Sequence, residues 1–285
     1  MKIYILPVNQ STQPSRQNNI YPAHNDDYGV EQDFFEFLCR NPKLLTDRVE
    51  EADWHYLPIY WTRWLVNHDY GKLGNNELQQ YVDKALISPR KTFTICQYDD
   101  GPVVNLHGTT VLLSSRKTKV GIDIPLLSSA HKIPLFKPRK KYLASFIGRV
   151  STHKIRAKIS NIISGNDKCL FIDGDIGTKK YVSLMLKSYV ALCPRGYGGS
   201  SFRFYESMQL GLIPFLIGDI DTRPFKKYIE WDKFSFYTDH PKKIMEIINK
   251  YADKELQEMG KIAKEVWDKD LSYQKWCNFV LKELE

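Results

Sequence analysis

The chain has 285 residues, 42% hydrophobic and 26% charged, which is enough for a substantial core and about two domains and excludes disordered and fibrous classes. Its 41 Lys and Arg against 33 Asp and Glu give a formal charge of +8, which suits a polyanionic partner, and a nucleotide satisfies it as well as nucleic acid does. No apolar run approaches the ~18 residues of a membrane span, and Met1-Lys2-Ile3-Tyr4-Ile5-Leu6-Pro7 is too short for a signal peptide.

A soluble chain in a cytoplasmic or otherwise reducing compartment is therefore expected, with cysteines 39, 96, 169, 193 and 277 as free thiols lacking metal-ligand spacing. In chain order, the pattern predicts a strand over Lys2 to Leu6, a helix over Val30 to Arg40, a strand over Trp54 to Ile59 and a helix over Asn76 to Ile87. Strands over Phe93 to Gln97 and Thr109 to Leu113 follow. This is the less regular half, an open α/β domain with loops rich in Asn, Pro and Gly. Leu126 to Lys141 reads as the connection, and its basic run Lys137-Pro138-Arg139-Lys140-Lys141 as a solvated segment. Domains of 1–134 and 135–285 result.

The second half alternates regularly. Strands are predicted over Tyr142 to Ile147, Cys169 to Ile172, Tyr189 to Cys193, Ile213 to Ile217 and Phe234 to Tyr237. Helices fall over Thr152 to Ile163, Thr178 to Lys187, Ser201 to Leu210, Pro241 to Tyr251, Lys254 to Trp267 and Tyr273 to Leu284, the last able to pack back on the first domain. Nearly all-apolar strands separated by helices imply a parallel sheet covered on both faces. Such sheets bind ligands at the carboxyl ends of their strands.

At one of those ends stands Cys193-Pro194-Arg195-Gly196-Tyr197-Gly198-Gly199-Ser200-Ser201-Phe202-Arg203-Phe204-Tyr205-Glu206. The glycines allow close backbone approach, and the amides opening the next helix present positive charge to an anion. Arg195 and Arg203 add full charges, and Glu206, one turn on, is placed to accept from ribose hydroxyls. An ordinary capped turn would also carry Ser200 and Ser201, but neither has Glu or Gln three residues later to complete a capping box. The loop is neither a Walker A nor a strict Gly-x-Gly-x-x-Gly motif, which disfavours ATP hydrolysis and NAD chemistry.

Beyond the loop, Gly211-Leu212-Ile213-Pro214 returns to a strand, Arg223-Pro224-Phe225 follows, and Trp231-Asp232-Lys233-Phe234-Ser235 comes after it. This series resembles the exostosin family of glycosyltransferases, with its Cys-Pro-Arg-Gly turn, Ser-Phe-Arg-x-x-Glu helix start, Gly-x-x-Pro return and Trp-x-x-Phe-Ser segment. Fainter echoes are Tyr28-Gly29-Val30-Glu31, Phe34-Phe35-Glu36-Phe37-Leu38, Thr46-Asp47 and Glu51-Ala52-Asp53-Trp54-His55-Tyr56-Leu57-Pro58. One departure is that Arg90-Lys91-Thr92-Phe93 stands where members often carry Arg-Asp-His, so no functional histidine carries over.

The resemblance implies a GT-B fold, two Rossmann-like domains facing each other across a cleft, with an acceptor domain first and a donor domain second. It implies inverting transfer of a sugar, xylose first, from a UDP-sugar to a hydroxyl of a glycan acceptor. Phe146-Ile147-Gly148-Arg149 and Lys154-Ile155-Arg156 resemble the family's Phe-x-Gly turn and downstream Arg, making Gly148, Arg149 and Arg156 diphosphate candidates beside the loop from Pro194 to Glu206. For the base, Asp99 and Asp100 after the strand Phe93 to Gln97 come first, although Asp-Asp-Gly is also a common turn. Asp69, Glu31 and His24 follow. Asp173-Gly174-Asp175 has the form of a divalent-metal site, but its glycines suit a turn, and no cofactor is expected. Nucleic acid is not expected either, since no basic stretch interleaves with aromatics in a known module. A catalytically silent nucleotide-sugar or glycan-binding module is the alternative.

Overall fold

The chain, as a computed structural model, is described over residues 1–15, 28–127 and 129–285. It divides into two compact units, one running to Ile124 and taking in Tyr273–Glu285, the other holding Pro125–Ser272. The change of unit thus falls at Ile124/Pro125 rather than at 134/135. The reason is local. Ile124 donates its N–H to Leu113 of the first sheet, whereas His131 already donates its N–H to Gln209 Oε1 of the second unit. The basic run is a surface loop of that unit, and its composition marks exposure rather than a boundary.

Unit 1 contains β1 (Ile3–Ile5), α1 (Val30–Arg40), β2 (Trp54–Tyr56), α2 (Trp61–Asn67), α3 (Asn75–Ala85), β3 (Thr92–Cys96), β4 (Thr110–Leu113) and β5 (Ile122–Asp123). The strands pair in parallel in simple sequential order, β1 to β5. Helix α1 forms because Val30, Phe34, Phe37 and Leu38 share one face, with Glu31 and Asp33 in its first turn and Arg40 in its last. Phe34 packs edge-on against Tyr56 at 5.2 Å and Phe93 at 5.8 Å, and also meets Trp276 at 5.9 Å. Asp33 Oδ2 accepts from Gln274 N at 2.7 Å and Trp276 Nε1 at 2.9 Å, which ties the C-terminal segment into this unit. Helix α2 has no counterpart among the predicted elements: Trp61, Thr62, Arg63, Trp64 and Leu65 are all buried, so no polar face gives it a 3.6-residue period.

Unit 2 contains β6 (Tyr142–Gly148), α4 (Lys154–Ile163), β7 (Cys169–Asp173), α5 (Thr178–Met185), β8 (Ser188–Pro194), α6 (Phe202–Leu210), β9 (Ile213–Ile217), β10 (Phe236–Thr238), α7 (Ile244–Ile248) and α8 (Asp253–Val266). A π-turn over Trp267–Leu271 follows α8, and α9 (Cys277–Leu284) returns to unit 1. Its parallel sheet has the order β10-β9-β8-β6-β7. Chain order reverses between β6 and β8. In a doubly wound sheet the crevice for a ligand opens at such a reversal, above the carboxyl ends of the two strands.

Each unit by itself is thus the parallel α/β sheet that the GT-B expectation requires. Several predicted elements are shorter than expected, among them two in unit 2. The helix over Pro241 to Tyr251 is a 3₁₀ turn, Pro241–Lys243, followed by the short α7, and the strand at Phe234 to Tyr237 starts only at Phe236. Ser235 is held in the preceding turn, its N–H donating to Trp231 O at 2.8 Å.

Helix α6 ends on Gly211 at φ +74°, and α8 crosses that turn so closely that a Cβ on Gly260 would stand 2.5 Å from the Gly211 carbonyl oxygen. Both atoms belong to backbone, so neither side can yield cheaply. Gly260→Ala is expected to cost about 1–3 kcal/mol and lower Tm by several degrees in a thermal melt. An unchanged Tm would mean that the two segments separate freely.

Candidate active site

The crevice of unit 2 is built from the loops after β6 and β8. Gly148 ends β6 at φ +154°, a backbone conformation that favours glycine, and a Cβ there would also press on Arg203 Nη2. Arg203, from the first turn of α6, lies across this strand end: Nη2 donates to Ile147 O at 2.5 Å, and the guanidinium rests 4.7 Å over the Phe146 ring. Its Nε and Nη1 are buried without a hydrogen-bond partner among the described residues.

Arg156, from α4, is also buried and spends its donors on backbone. Nε reaches Arg195 O at 3.0 Å, Nη1 reaches Arg149 O at 2.9 Å and Nη2 reaches Pro194 O at 3.4 Å. It pins the two loops together. Burial first, and then the neighbouring Arg203 charge, holds its guanidinium down to about 10. Two guanidiniums thus share one desolvated site.

Arg195 packs beneath Gly218 and pairs through Nη1 with Asp219. Partial burial alone would raise the Asp219 carboxyl, but the Arg195 hydrogen bond and charge outweigh it and leave the group below the usual carboxylate range. His153 caps α4, its Nδ1 accepting from Ile155 N at 3.2 Å, and burial followed by the Arg195 charge lowers its pKa. Arg149 keeps its side chain exposed.

In the glycine-rich loop, Gly196 and Gly198 flank Tyr197, which is 70% exposed, while Ser200 and Ser201 are buried. Thr222 Oγ1 donates to Gly199 O at 3.2 Å and holds the loop from below. Ser201 is the N-cap residue of α6 but makes no side-chain capping bond, so the positive end of the helix stays uncompensated by its own cap.

One turn into α6, Glu206 is buried beside two groups that sequence reasoning missed. Tyr181 donates its hydroxyl to Oε2 at 2.9 Å, and His131 Nε2 lies 3.2 Å from Oε1. Burial and then the Glu206 charge push the Tyr181 phenol well above its usual value. These contacts orient the Glu206 carboxylate in the crevice. No local signal marks His131 or Tyr181, because both reach Glu206 through tertiary contact alone. The Arg223-Pro224-Phe225 and Trp231 to Ser235 motifs are framework: Arg223 pairs with Asp221 at 3.0 Å and Asp232 at 2.7 Å, and Trp231 Nε1 donates to Pro224 O at 2.6 Å.

The acidic candidates are spread over several turns. Asp173 Oδ1 accepts from Val150 N at 2.8 Å and supports the Gly148 turn, while Asp175 Oδ1 accepts from Gly177 N at 2.9 Å ahead of α5. In unit 1, Tyr98 to Gly101 form a turn directly after β3, closed by Gly101 N donating to Tyr98 O at 3.0 Å. Asp99 is half-buried there, and exposed Asp100 pairs with Lys117 at 2.5 Å. Asp69 pairs with Lys72 at 3.1 Å, and Tyr98 brings that loop alongside by donating its hydroxyl to Tyr70 O at 3.1 Å. Glu31 is completely buried, Oε1 accepting from Thr62 Oγ1 at 2.8 Å and Gln97 N at 2.9 Å, and burial pushes its carboxyl up. It braces the end of β3 and is out of reach of a substrate. His24 lies outside the described residues.

The unit 2 geometry, two buried guanidiniums and a helix N-terminus beside an oriented carboxylate, suits a phosphate next to a pair of hydroxyls. Comparisons with known proteins agree with the motif series. The chain is 28% identical over 127 residues to Exostosin-1 of Drosophila melanogaster, a match covering 36% of this chain and 17% of that protein. It is 21% identical over 290 residues to a probable glucuronosyltransferase of Physcomitrium patens, covering 83% of this chain and 62% of that one. The chain thus spans less than two thirds of either relative. The crystal structure of TarM superposes with a TM-score of 0.40 at 11% identity, over 73% of this chain and 57% of that one. Among the described residues no helix is long and apolar enough to cross a membrane. The profile of the Exostosin GT47 domain matches residues 97–251, which leaves out the N-terminal echoes but takes in the whole glycine-rich loop and both arginines, and by that match the chain belongs to the exostosin GT47 family of glycosyltransferases.

Proposed function

We propose that the chain transfers a sugar from a UDP-sugar to a hydroxyl of a glycan acceptor, with inversion and without a metal ion. The observation that carries this reading is the pair Arg156 and Arg203, both buried, with Arg203 Nε and Nη1 lacking a hydrogen-bond partner among the described residues. An unpaired buried charge is costly, and a diphosphate answers it. The acceptor oxygen attacks the anomeric carbon from the face opposite the diphosphate while an Asp carboxylate takes its proton. The bond from that carbon to the phosphate oxygen breaks, its electron pair stays on that oxygen, and Arg203 with the α6 N-terminus stabilises the charge. Arg156 holds the two loops in register, and Glu206, oriented by Tyr181 and His131, accepts from the ribose hydroxyls.

UDP-xylose heads the donor panel, and UDP-glucuronic acid stands beside it because the moss relative is named a probable glucuronosyltransferase. The exposed Arg149 guanidinium is the group that would meet the uronate. The test is UDP release from such a panel with and without acceptor oligosaccharides. Binding of UDP with no release from any donor would favour the silent module, and no UDP binding at all would overturn the reading.

Two further results are expected. EDTA should leave transfer essentially intact, since guanidiniums do the work of a cation; loss with chelator and recovery with Mn²⁺ would instead make Asp173 and Asp175 the leading metal site. Glu206→Ala should weaken UDP binding by about 10- to 100-fold, the loss of a charged hydrogen bond worth about 1.5–3 kcal/mol. Calorimetry on a variant with native circular dichroism checks it, and unchanged affinity would remove Glu206 from the pocket.

A further inference from the structure

The basic run ahead of β6 has no part in the donor site, and its composition is unusual. No Asp or Glu occurs between Asp123 and Asp167, while Lys132, Lys137, Arg139, Lys140 and Lys141 crowd the loop before β6. Within that loop Leu135 is 89% exposed and Phe136 87% exposed, adjacent to each other and ahead of exposed Lys137, Arg139 and Lys141. Lys140 turns inward instead, donating to Ser188 O at 2.5 Å and lying over the Tyr189 ring at 5.7 Å, which anchors the loop to β8. Tyr189 in turn donates its hydroxyl to Asp253 at 3.3 Å.

Single exposed apolar side chains are common on soluble proteins and need no explanation. An adjacent Leu-Phe pair standing clear of the surface, with cations beside it and no carboxylate in the segment, is a different arrangement. Soluble polyanions satisfy the cations but gain nothing from the apolar tip. An anionic bilayer satisfies both, because Leu and Phe enter the acyl boundary while Lys and Arg lie at the headgroups.

We propose that the loop from Lys132 to Lys141 is a docking element for anionic lipid surfaces, with Leu135 and Phe136 inserted and Lys137, Arg139 and Lys141 on the headgroup phosphates and carboxylates. Binding is peripheral and reversible, since two apolar side chains fall far short of a span. The partner is chosen by charge complementarity, and no residue of the donor site takes part.

The experiment is co-sedimentation of the whole chain with vesicles of phosphatidylcholine alone and of phosphatidylcholine with phosphatidylserine in equal parts. The wild type should bind the anionic vesicles, bind neutral ones about tenfold or more weakly, and lose binding as salt is raised. The double variant Leu135→Ser with Phe136→Ser should lose about tenfold or more, and Lys137→Glu with Arg139→Glu should abolish binding. UDP affinity in both should stay native, which also serves as the check on folding, with circular dichroism in its place if the wild type binds no UDP. Three results would overturn the proposal: no sedimentation with anionic vesicles at low salt, full binding by the Ser double variant, or a dimer in ultracentrifugation that the Ser double variant dissolves, since that would make a second copy the occupant.

Discussion

Arg203→Met is expected to lower UDP affinity by about two to four orders of magnitude while leaving the Tm of the ligand-free protein unchanged or higher. The two halves of this result have one cause. Without ligand, the Arg203 charge is buried against Phe146 and beside Arg156, with two of its nitrogens unpartnered among the described residues. Replacing a buried charge by an apolar side chain of similar volume is often neutral or stabilising by about 1–4 kcal/mol, and each kcal/mol raises Tm by about 2–4 °C in a protein of this size. Methionine keeps contact with the ring and loses the bond to Ile147 O. With UDP bound, the same substitution strips a desolvated diphosphate of its partner, a change that costs about 3–5 kcal/mol. Calorimetry and a thermal melt on the same preparation decide it. A fall in Tm together with native UDP affinity would make Arg203 a structural residue and remove the main support for a donor site here. Arg203→Lys should recover little affinity, since an ammonium lacks the planar fork that meets two phosphate oxygens.

Asp99→Asn should reduce kcat by about 10²- to 10⁴-fold with UDP affinity unchanged, the usual contribution of a general base. Asp100→Asn should stay near native. Asp99 is tried first because it is half-buried after β3, while Asp100 is exposed in an ion pair with Lys117. Each variant is to be assayed for turnover with saturating donor and separately for UDP binding. If both retain near-native kcat, the base lies elsewhere, and Asp69 is the next to test, since Tyr98 holds its loop beside this turn. Glu31 drops down the order because its burial and its bonds to Thr62 and Gln97 occupy it as a brace.

Much of the architecture was legible in local pattern. Strands such as Ile213–Ile217, apolar at every position, and helices such as Val30–Arg40, apolar at positions three and four apart, announce themselves because backbone periodicity is a short-range property. Helix α2 was not legible: burial on all sides erases the amphipathic signal. The two-residue β5 carries too few positions for any period.

The sequence alone determined that unit 2 is a parallel α/β sheet and that a glycine-rich loop opens a helix at one of its strand ends, since both depend on neighbours along the chain. It also determined the family, through motifs held at constant spacing. Only the tertiary structure decided what each charged group does. Arg156, a phosphate candidate by sequence, became the pin of two loops, while Arg203 kept two donors unpartnered. Asp173 and Asp175 became turn supports, and Glu206 acquired Tyr181 and His131 as orienting partners. The physical reason is that a charge is defined by what it meets after desolvation, and, apart from the local Gly177 amide on Asp175, those partners come from strands and loops far away in sequence, which the folded sheet brings together.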